Sequence, residues 1–186
     1  MRILHVIRQY KPVIGGMENF VENLAVHLKE KGIESEVLTL NADFSNGERF
    51  PEAEIINGIA VRRIPYFGSR RYPIALSAVN YLSEFDLIHI HGVDFLLDYL
   101  AGLKLIHKKP MILSTHGGFF HTKKFYLYKK LHFHTFTKMS LRNMSWIVAD
   151  SEPDYETFKP ISPERIELIE NGINFDHYHT VAQEKG

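Results

Sequence analysis

The chain has 186 residues, 45% of them hydrophobic, which is enough to bury one full core and too little for two ordinary domains. A formal charge of zero and the absence of cysteine exclude an obvious nucleic-acid partner, a disulfide framework, a thiolate zinc site and a cysteine nucleophile, and they suit a reducing cytoplasm. Charge interrupts the N-terminus at Arg2 and Arg8, too soon for a signal peptide or membrane span, and no later run reaches spanning length, so a soluble intracellular protein is expected.

Short apolar runs alternate with helix-length amphipathic stretches. A strand is expected over residues 2–7, followed by Phe20, Leu24, Ala25 and Leu28 at helical spacing. Gly32 then stops the helix before a second strand at 34–40, completing one βαβ unit. Residues 42–52 and 66–73, rich in Gly, Pro and charge, are expected as exposed loops; Asn57-Gly58 signals a turn before a strand at 60–64. Further strands are expected at 87–90, at 111–114 behind Pro110, at 146–149 and at 166–169. Ser151, ahead of Glu152, Pro153 and Asp154, marks a capped helix start. This succession predicts an α/β domain of Rossmann-like, doubly wound type with a mainly parallel sheet. Such sheets bind ligands outside the carboxyl ends of their strands, here just after Ile7, Ile90, Ser114 and Ile169.

Three features lie at those ends. After the first strand, Gly15-Gly16 precedes a helix, where the lack of a Cβ lets helix N-terminal N–H groups approach a phosphate closely. The pair matches neither G-x-G-x-x-G nor a P-loop, and its alternative is a flexible turn. After the fourth and fifth strands come His89-Ile90-His91-Gly92 and Ser114-Thr115-His116-Gly117-Gly118-Phe119-Phe120-His121. Alternation sends His89 and His91 the same way. Without a helical H-E-x-x-H or cysteine support these histidines do not predict a metal site. His89 is expected to be hydrogen-bonded near its strand end, and His116, flanked by glycines, to face a ligand. Finally, no acid occurs between Asp98 and Asp150, while Lys123, Lys124, Lys129, Lys130, Lys138 and Arg142 fall there among Phe119, Phe125, Tyr126 and Tyr128. That combination suits docking on an anionic membrane surface beside a lipid-linked ligand; a partly core-facing helix is the alternative.

Taken together, Pro12-x-x-Gly15-Gly16-Met17-Glu18, Asp86 to His91, Ser114 to Gly118, Val148-Ala149-Asp150-Ser151 and Ile169 to Asn174 resemble the family-4 glycosyltransferases, whose fold is GT-B, two facing Rossmann-like domains. The resemblance implies that residues 1–170 are the N-terminal, acceptor-binding half and 171–186 the start of the crossing into a donor-binding domain, with Asn174 where Asp is usual. It further implies a retaining sugar transfer from a nucleotide-sugar donor, with no metal or other cofactor. Gly15 and Gly16 would contact the donor diphosphate and His116 would be catalytic beside the transferred sugar. His91, Gly117, Gly118, Phe119 and His121 would line the acceptor side. The departing phosphate assists deprotonation of the acceptor in that chemistry, so no side-chain nucleophile is required. A narrower similarity, carried by His91-Gly92-Val93-Asp94 and residues 114–122, is to bacterial mannosyltransferases that extend polyprenyl-diphosphate-linked glycans. It implies GDP-mannose as donor and a peripheral position on the inner membrane face. A stand-alone nucleotide-sugar-binding module, or one subunit of a split transferase, is the competing reading. Glu22 with Glu30, and Glu156 with Glu164, repeat the family's Glu-x7-Glu spacing outside its context; the first pair is expected to be solvated and the second is interrupted by Pro160 and Pro163.

Overall fold

The computed structural model describes residues 1–70, 72–117 and 133–172. Strand β1 (Arg2–Ile7) runs into helix α1 (Gly16–Glu30), followed by β2 (Glu34–Leu40), β3 (Ala53–Ile56), β4 (Ile59–Ile64), β5 (Phe67–Ser69) and β6 (Tyr72–Ile74). A 3-10 segment (Leu76–Glu84) leads to β7 (Leu87–His91), α2 (Phe95–Gly102), α3 (Lys104–His107) and β8 (Met111–Ser114). The last described elements are a π-helical turn (Phe133–Thr137), α4 (Lys138–Arg142), β9 (Trp146–Ala149), α5 (Glu152–Phe158) and β10 (Ile166–Leu168).

Eight of these strands form one sheet in the order β10-β9-β8-β7-β1-β2-β4-β3, parallel throughout except for β3. Strand order reverses at β1, with β2 on one side and β7 on the other, so the switch-point crevice of a doubly wound sheet opens at the carboxyl ends of β1 and β7. All seven expected strands are present within a residue or two. Two hairpins replace expected loop or single-strand readings. β3 pairs antiparallel with β4 through Asn57-Gly58, and β5 pairs with β6 inside the stretch expected as an exposed loop. Both are short, β3 at the edge of the main sheet and β5 with β6 as a separate two-stranded ribbon, and β5 carries Gly68 at φ +87°, which masks the alternation a longer strand would show.

Two cores sandwich the sheet. On one face Leu4, Val6, Leu38, Ile88, Ile90, Leu113 and Ile147 pack against Leu97, Leu100, Phe85 and Leu141 from the helical layers. On the other, Ile7, Val37 and Val61 meet Val21 and Ala25 of α1. α1 is therefore held down by a small apolar stripe, and its N-terminus is set directly above the switch point. The segment entering α1 is fixed from beneath by Arg63, which is buried: its guanidinium donates to the carbonyl of Lys11 at 2.6 Å and pairs with Glu54.

Asn57 (φ 49°) and Gly58 (φ 76°) both adopt left-handed backbone, as a tight I′ hairpin requires. Gly58→Ala is expected to cost about 1 kcal/mol in a urea titration, because only glycine takes that conformation without penalty. An unchanged midpoint would mean that the hairpin does not limit the stability of the sheet edge.

Candidate functional site

Parallel pairing in register brings together residues that are far apart in the chain. His5 lies opposite His89, Ile7 opposite His91, and His91 opposite Ser114. Because side chains alternate, His5, His89 and His91 share the α1 face of the sheet, and His116 follows β8 immediately above them. Their nitrogens form a chain of contacts. His5 Nδ1 lies 3.0 Å from His91 Nε2, His91 Nδ1 lies 3.0 Å from His116 Nε2, and His116 Nδ1 lies 3.4 Å from Asp150 Oδ2. His89 Nε2 instead meets Ser114 Oγ at 2.8 Å, the hydrogen-bonded position near the strand end expected of it. Burial pushes the His5 imidazole down to about 4, and burial followed by the neighbouring histidines pushes His89 and His91 well below the usual histidine range. These three rings are therefore neutral at physiological pH.

His116 occupies a strained turn. Its φ is +54°, rare for a residue with a side chain, and Gly117 follows at +63°. Two acids from the next crossover hold the turn in place. The Thr115 hydroxyl bridges Asp150, at 3.0 Å, and Asp154, and the Gly117 N–H donates to Asp154 Oδ2 at 2.9 Å. Ser151 caps α5 and so aims Asp154 back at the turn. Burial acts to raise both carboxyl pKa values. For Asp150 the hydrogen bonds from His116, Asp154 and Thr115 outweigh it and hold the group below the usual carboxylate range. For Asp154, burial and the adjacent Asp150 charge win, and its pKa is raised. Asp150 is thus the ionised member of the pair and the anchor for His116. An edge-on ring contact with Phe20 of α1, centroids 4.9 Å apart, fixes the imidazole from the other side.

A cleft of about 740 Å³ opens at this point. Lys11, Gly16, Phe20 and Asn23 form one wall, and His116, Asp150, Asn171 and Gly172 the other. Gly15 is the N-cap of α1 and supplies no side-chain cap, so the first N–H groups of the helix remain available to a ligand. A Cβ on Gly16 would meet nothing within 4 Å, whereas one on Gly15 would run into the Glu18 carboxylate. Lys11 adds a cation at the same wall, held by Asn19 Oδ1 at 2.7 Å and Glu22 at 3.2 Å. A helix N-terminus without a side-chain cap beside an ammonium suits an anionic ligand, which would compete there with Glu18 of the first turn and with the Glu22 partner of Lys11.

Several site residues lie where sequence reasoning did not put them. His91, expected on the acceptor side, is 1% exposed with both ring nitrogens engaged by His5 and His116, so it lies beneath the described cleft wall rather than on it. Glu22, expected to be solvated, pairs with Lys11 and accepts from Asn57. Lys11, His5, Asp150 and Asp154 were not singled out as site residues. Asp150 and Asp154 had a signal in the sequence, since both follow a strand end and open a capped helix. His5 had only its parity with His89. Gly118, Phe119, His121, Lys123, Lys124, Lys129 and Lys130 lie outside the described residues, as do Ile173 and Asn174.

Among the described residues, His5, His89 and His91 bring three ligand-type nitrogens within 4.8 Å. They carry no carboxylate or thiolate partner, and the group is enclosed beneath α1.

The mainly parallel, doubly wound sheet with a cleft at its switch point, walled by Gly16 and the acid-braced His116, defines a Rossmann-like ligand-binding domain, and the comparisons give its family. The chain belongs to Glycosyltransferase Family 4, whose profile matches residues 14–177. It is 39% identical over 183 residues to the GDP-mannose:cellobiosyl-diphosphopolyprenol alpha-mannosyltransferase of Komagataeibacter xylinus, covering 98% of this chain and 47% of that protein. It is 41% identical over 181 residues to the protein of the same description from Xanthomonas campestris, covering 96% of this chain and 48% of that one. The chain thus spans about half the length of the curated relatives it matches. Among solved structures, Anabaena Alr3699/HepE in complex with UDP-glucose superposes with a TM-score of 0.68 at 17% identity, covering all of this chain and 50% of that one. The lipopolysaccharide outer core galactosyltransferase WaaB, in its apo form, superposes with a TM-score of 0.60 at 16% identity, covering 93% and 46%. The fold is therefore the Rossmann-like half of a GT-B architecture.

Proposed function

We propose that the chain is the N-terminal, acceptor-side half of a retaining mannosyltransferase that moves mannose from GDP-mannose to a polyprenyl-diphosphate-linked glycan. The observation that carries this reading is the cleft itself, in which the bare N-terminus of α1 at Gly16 faces the Asp150-anchored His116. An anionic diphosphate fits the first wall, where Gly15 gives the turn, Gly16 the close approach and Lys11 the charge. A neutral sugar fits the second, where His116 and the Thr115 turn are held rigidly. Both ring nitrogens of His116 are committed to protein partners, so its part is to shape and polarise the sugar site rather than to abstract a proton through the ring. The carboxylates that line the described cleft are already engaged, Asp150 by His116 and Thr115 and Glu22 by Lys11, in keeping with a transfer in which the leaving phosphate takes the acceptor proton. No metal or other cofactor is required by this reading.

The acceptor reading rests on the mannosyltransferase relatives and on the segment from Phe119 to Arg142. At its described end, Phe136 and Met139 are exposed beside Lys138 and Arg142, the composition of a surface that meets lipid. Among the described residues no helix is long and apolar enough to cross a membrane, which leaves surface docking as the proposed mode of contact.

The test is a transfer assay of the full-length protein with GDP-mannose, UDP-glucose, UDP-galactose and UDP-N-acetylglucosamine, each offered with a polyprenyl-diphosphate cellobiose acceptor. GDP-mannose is expected to be preferred by at least about a hundredfold in kcat/KM, the discrimination that hydrogen-bonded donor recognition supplies. Equal or better turnover with a UDP-sugar would overturn the donor assignment.

A further inference from the structure

The histidine chain under the cleft has a direction, and that direction is fixed by the atoms at its two ends. Asp150 is ionised and can only accept, so the nitrogen of His116 that faces it, Nδ1, carries the hydrogen. His116 Nε2 faces His91 Nδ1 across 3.0 Å, and the buried far end of the chain decides which of the two carries the hydrogen: an orphaned N–H there costs more than an orphaned lone pair, so His116 Nε2 is the acceptor. The nitrogen 3.0 Å away, His91 Nδ1, must then be the donor. The neutral His91 ring has one N–H, so its Nε2 is a lone pair and His5 Nδ1 the donor to it, at 3.0 Å. The chain therefore ends on His5 Nε2 as a lone pair. That atom is buried and has no hydrogen-bond partner among the described residues. The opposite direction would end on a buried N–H without an acceptor at His5, the costlier kind of orphan.

We propose that His91 and His5 are positioning residues that lock the cleft histidine, His116, as its Nδ1–H tautomer and hold its ring in one orientation, with Asp150 and the buried end at His5 setting the direction of the whole chain. Free imidazole favours the other tautomer, so three successive Nδ1–H rings are a property of this arrangement and not of histidine. The lock has a mechanical purpose as well. His116 sits at φ +54°, a backbone state that persists only when its surroundings over-determine it, and the ring is clamped by Asp150, His91 and the edge of Phe20. His5 is remote from the cleft, under the sheet-facing side of α1, and acts only through His91.

The consequence for activity rests on the transferase reading; the tautomer does not. Long-range ¹⁵N–¹H spectra of the full chain at neutral pH are expected to show Nδ1 protonated and Nε2 bare in His5, His91 and His116. Nε2–H in any one of the three, or stoichiometric zinc held by His5, His89 and His91 in the purified protein, would overturn the lock. In the full-length enzyme, His91→Asn keeps a donor at the Nδ1 position and is expected to retain kcat within about threefold, whereas His91→Leu removes it and should lower kcat by about tenfold or more with donor KM unchanged. Equal losses in both variants, or a loss confined to KM, would reduce His91 to a packing residue and overturn the positioning role. If the protein proves to transfer no sugar, the kinetic comparison fails with the functional reading while the spectra still decide the lock.

Discussion

His116→Ala is expected to lower kcat of the full-length enzyme by about a hundredfold or more, and to lower unfolding stability by about 1–3 kcal/mol at the same time. The first effect follows from where the ring stands, on the wall of the cleft opposite Gly16. The second follows from what it leaves behind. The His91 Nδ1–H loses its acceptor, Asp150 loses one of its partners, and alanine inherits a left-handed backbone that disfavours it. Expecting a catalytic loss with folding untouched would suit an exposed side chain, but this one is 4% exposed and built into the turn. Measuring kcat together with urea unfolding separates the two effects. Asparagine at the same position tolerates φ > 0 and can still donate to Asp150, so His116→Asn should recover most of the stability and little of the turnover. Turnover left near the wild-type level by alanine would move the catalytic site elsewhere.

Mild acid is expected to destabilise the fold well before carboxylate chemistry would. His5 has a folded-state pKa of about 4 against 6.5 unfolded, and His89 and His91 are displaced in the same direction. Between those values the unfolded chain binds protons that the native state refuses, so stability is complete above about pH 6.5 and falls as pH drops toward 4. His5 alone contributes a loss of roughly 2 kcal/mol on going from pH 7 to pH 5. Asp94 works against this, because burial raises its carboxyl to about 6 and the native state takes up a proton there. Asp154, also raised, adds to the opposing side, but the three histidines displaced downward are expected to leave a net loss of stability by pH 5. Urea titrations at pH 7 and pH 5 measure it directly. A flat profile would mean that the rings are charged or solvated in the native state. His5→Leu should flatten part of the slope, since one of the refused protons disappears from the account.

Much of the architecture was legible before any coordinates. The seven strands, the α1 stop at Gly32 and the turn at Asn57-Gly58 follow from periodicity and from residues whose backbone preferences are strong. β5 and β6 were not legible because three-residue strands have no measurable alternation. At the site, Gly15, Gly16 and His116 stood out as glycines and a histidine at strand ends, and the structure places Gly16 and His116 on one cleft. His91 was recognised as unusual but given the wrong neighbour: from spacing alone a histidine at a strand end reads as facing the ligand. Glu22 read as solvated because its helix position is polar, and only its distance to Lys11 shows that it orders the cleft wall.

The sequence by itself determined the class of fold, the strand ends at which the cleft lies and the likeness to family-4 glycosyltransferases, since these depend on composition, period and short motifs. Tertiary structure alone decided that His5, 86 residues from His91, lies within hydrogen-bonding distance of it, and that Asp150 and Asp154 brace a turn 35 to 39 residues away. The physical reason is strand register. Parallel neighbours β1, β7, β8 and β9 are joined through crossovers, so which side chains meet is set by pairing across the sheet and by how the helices seat on it. A hydrogen-bond chain that crosses three strands and a loop exists only once that register is formed.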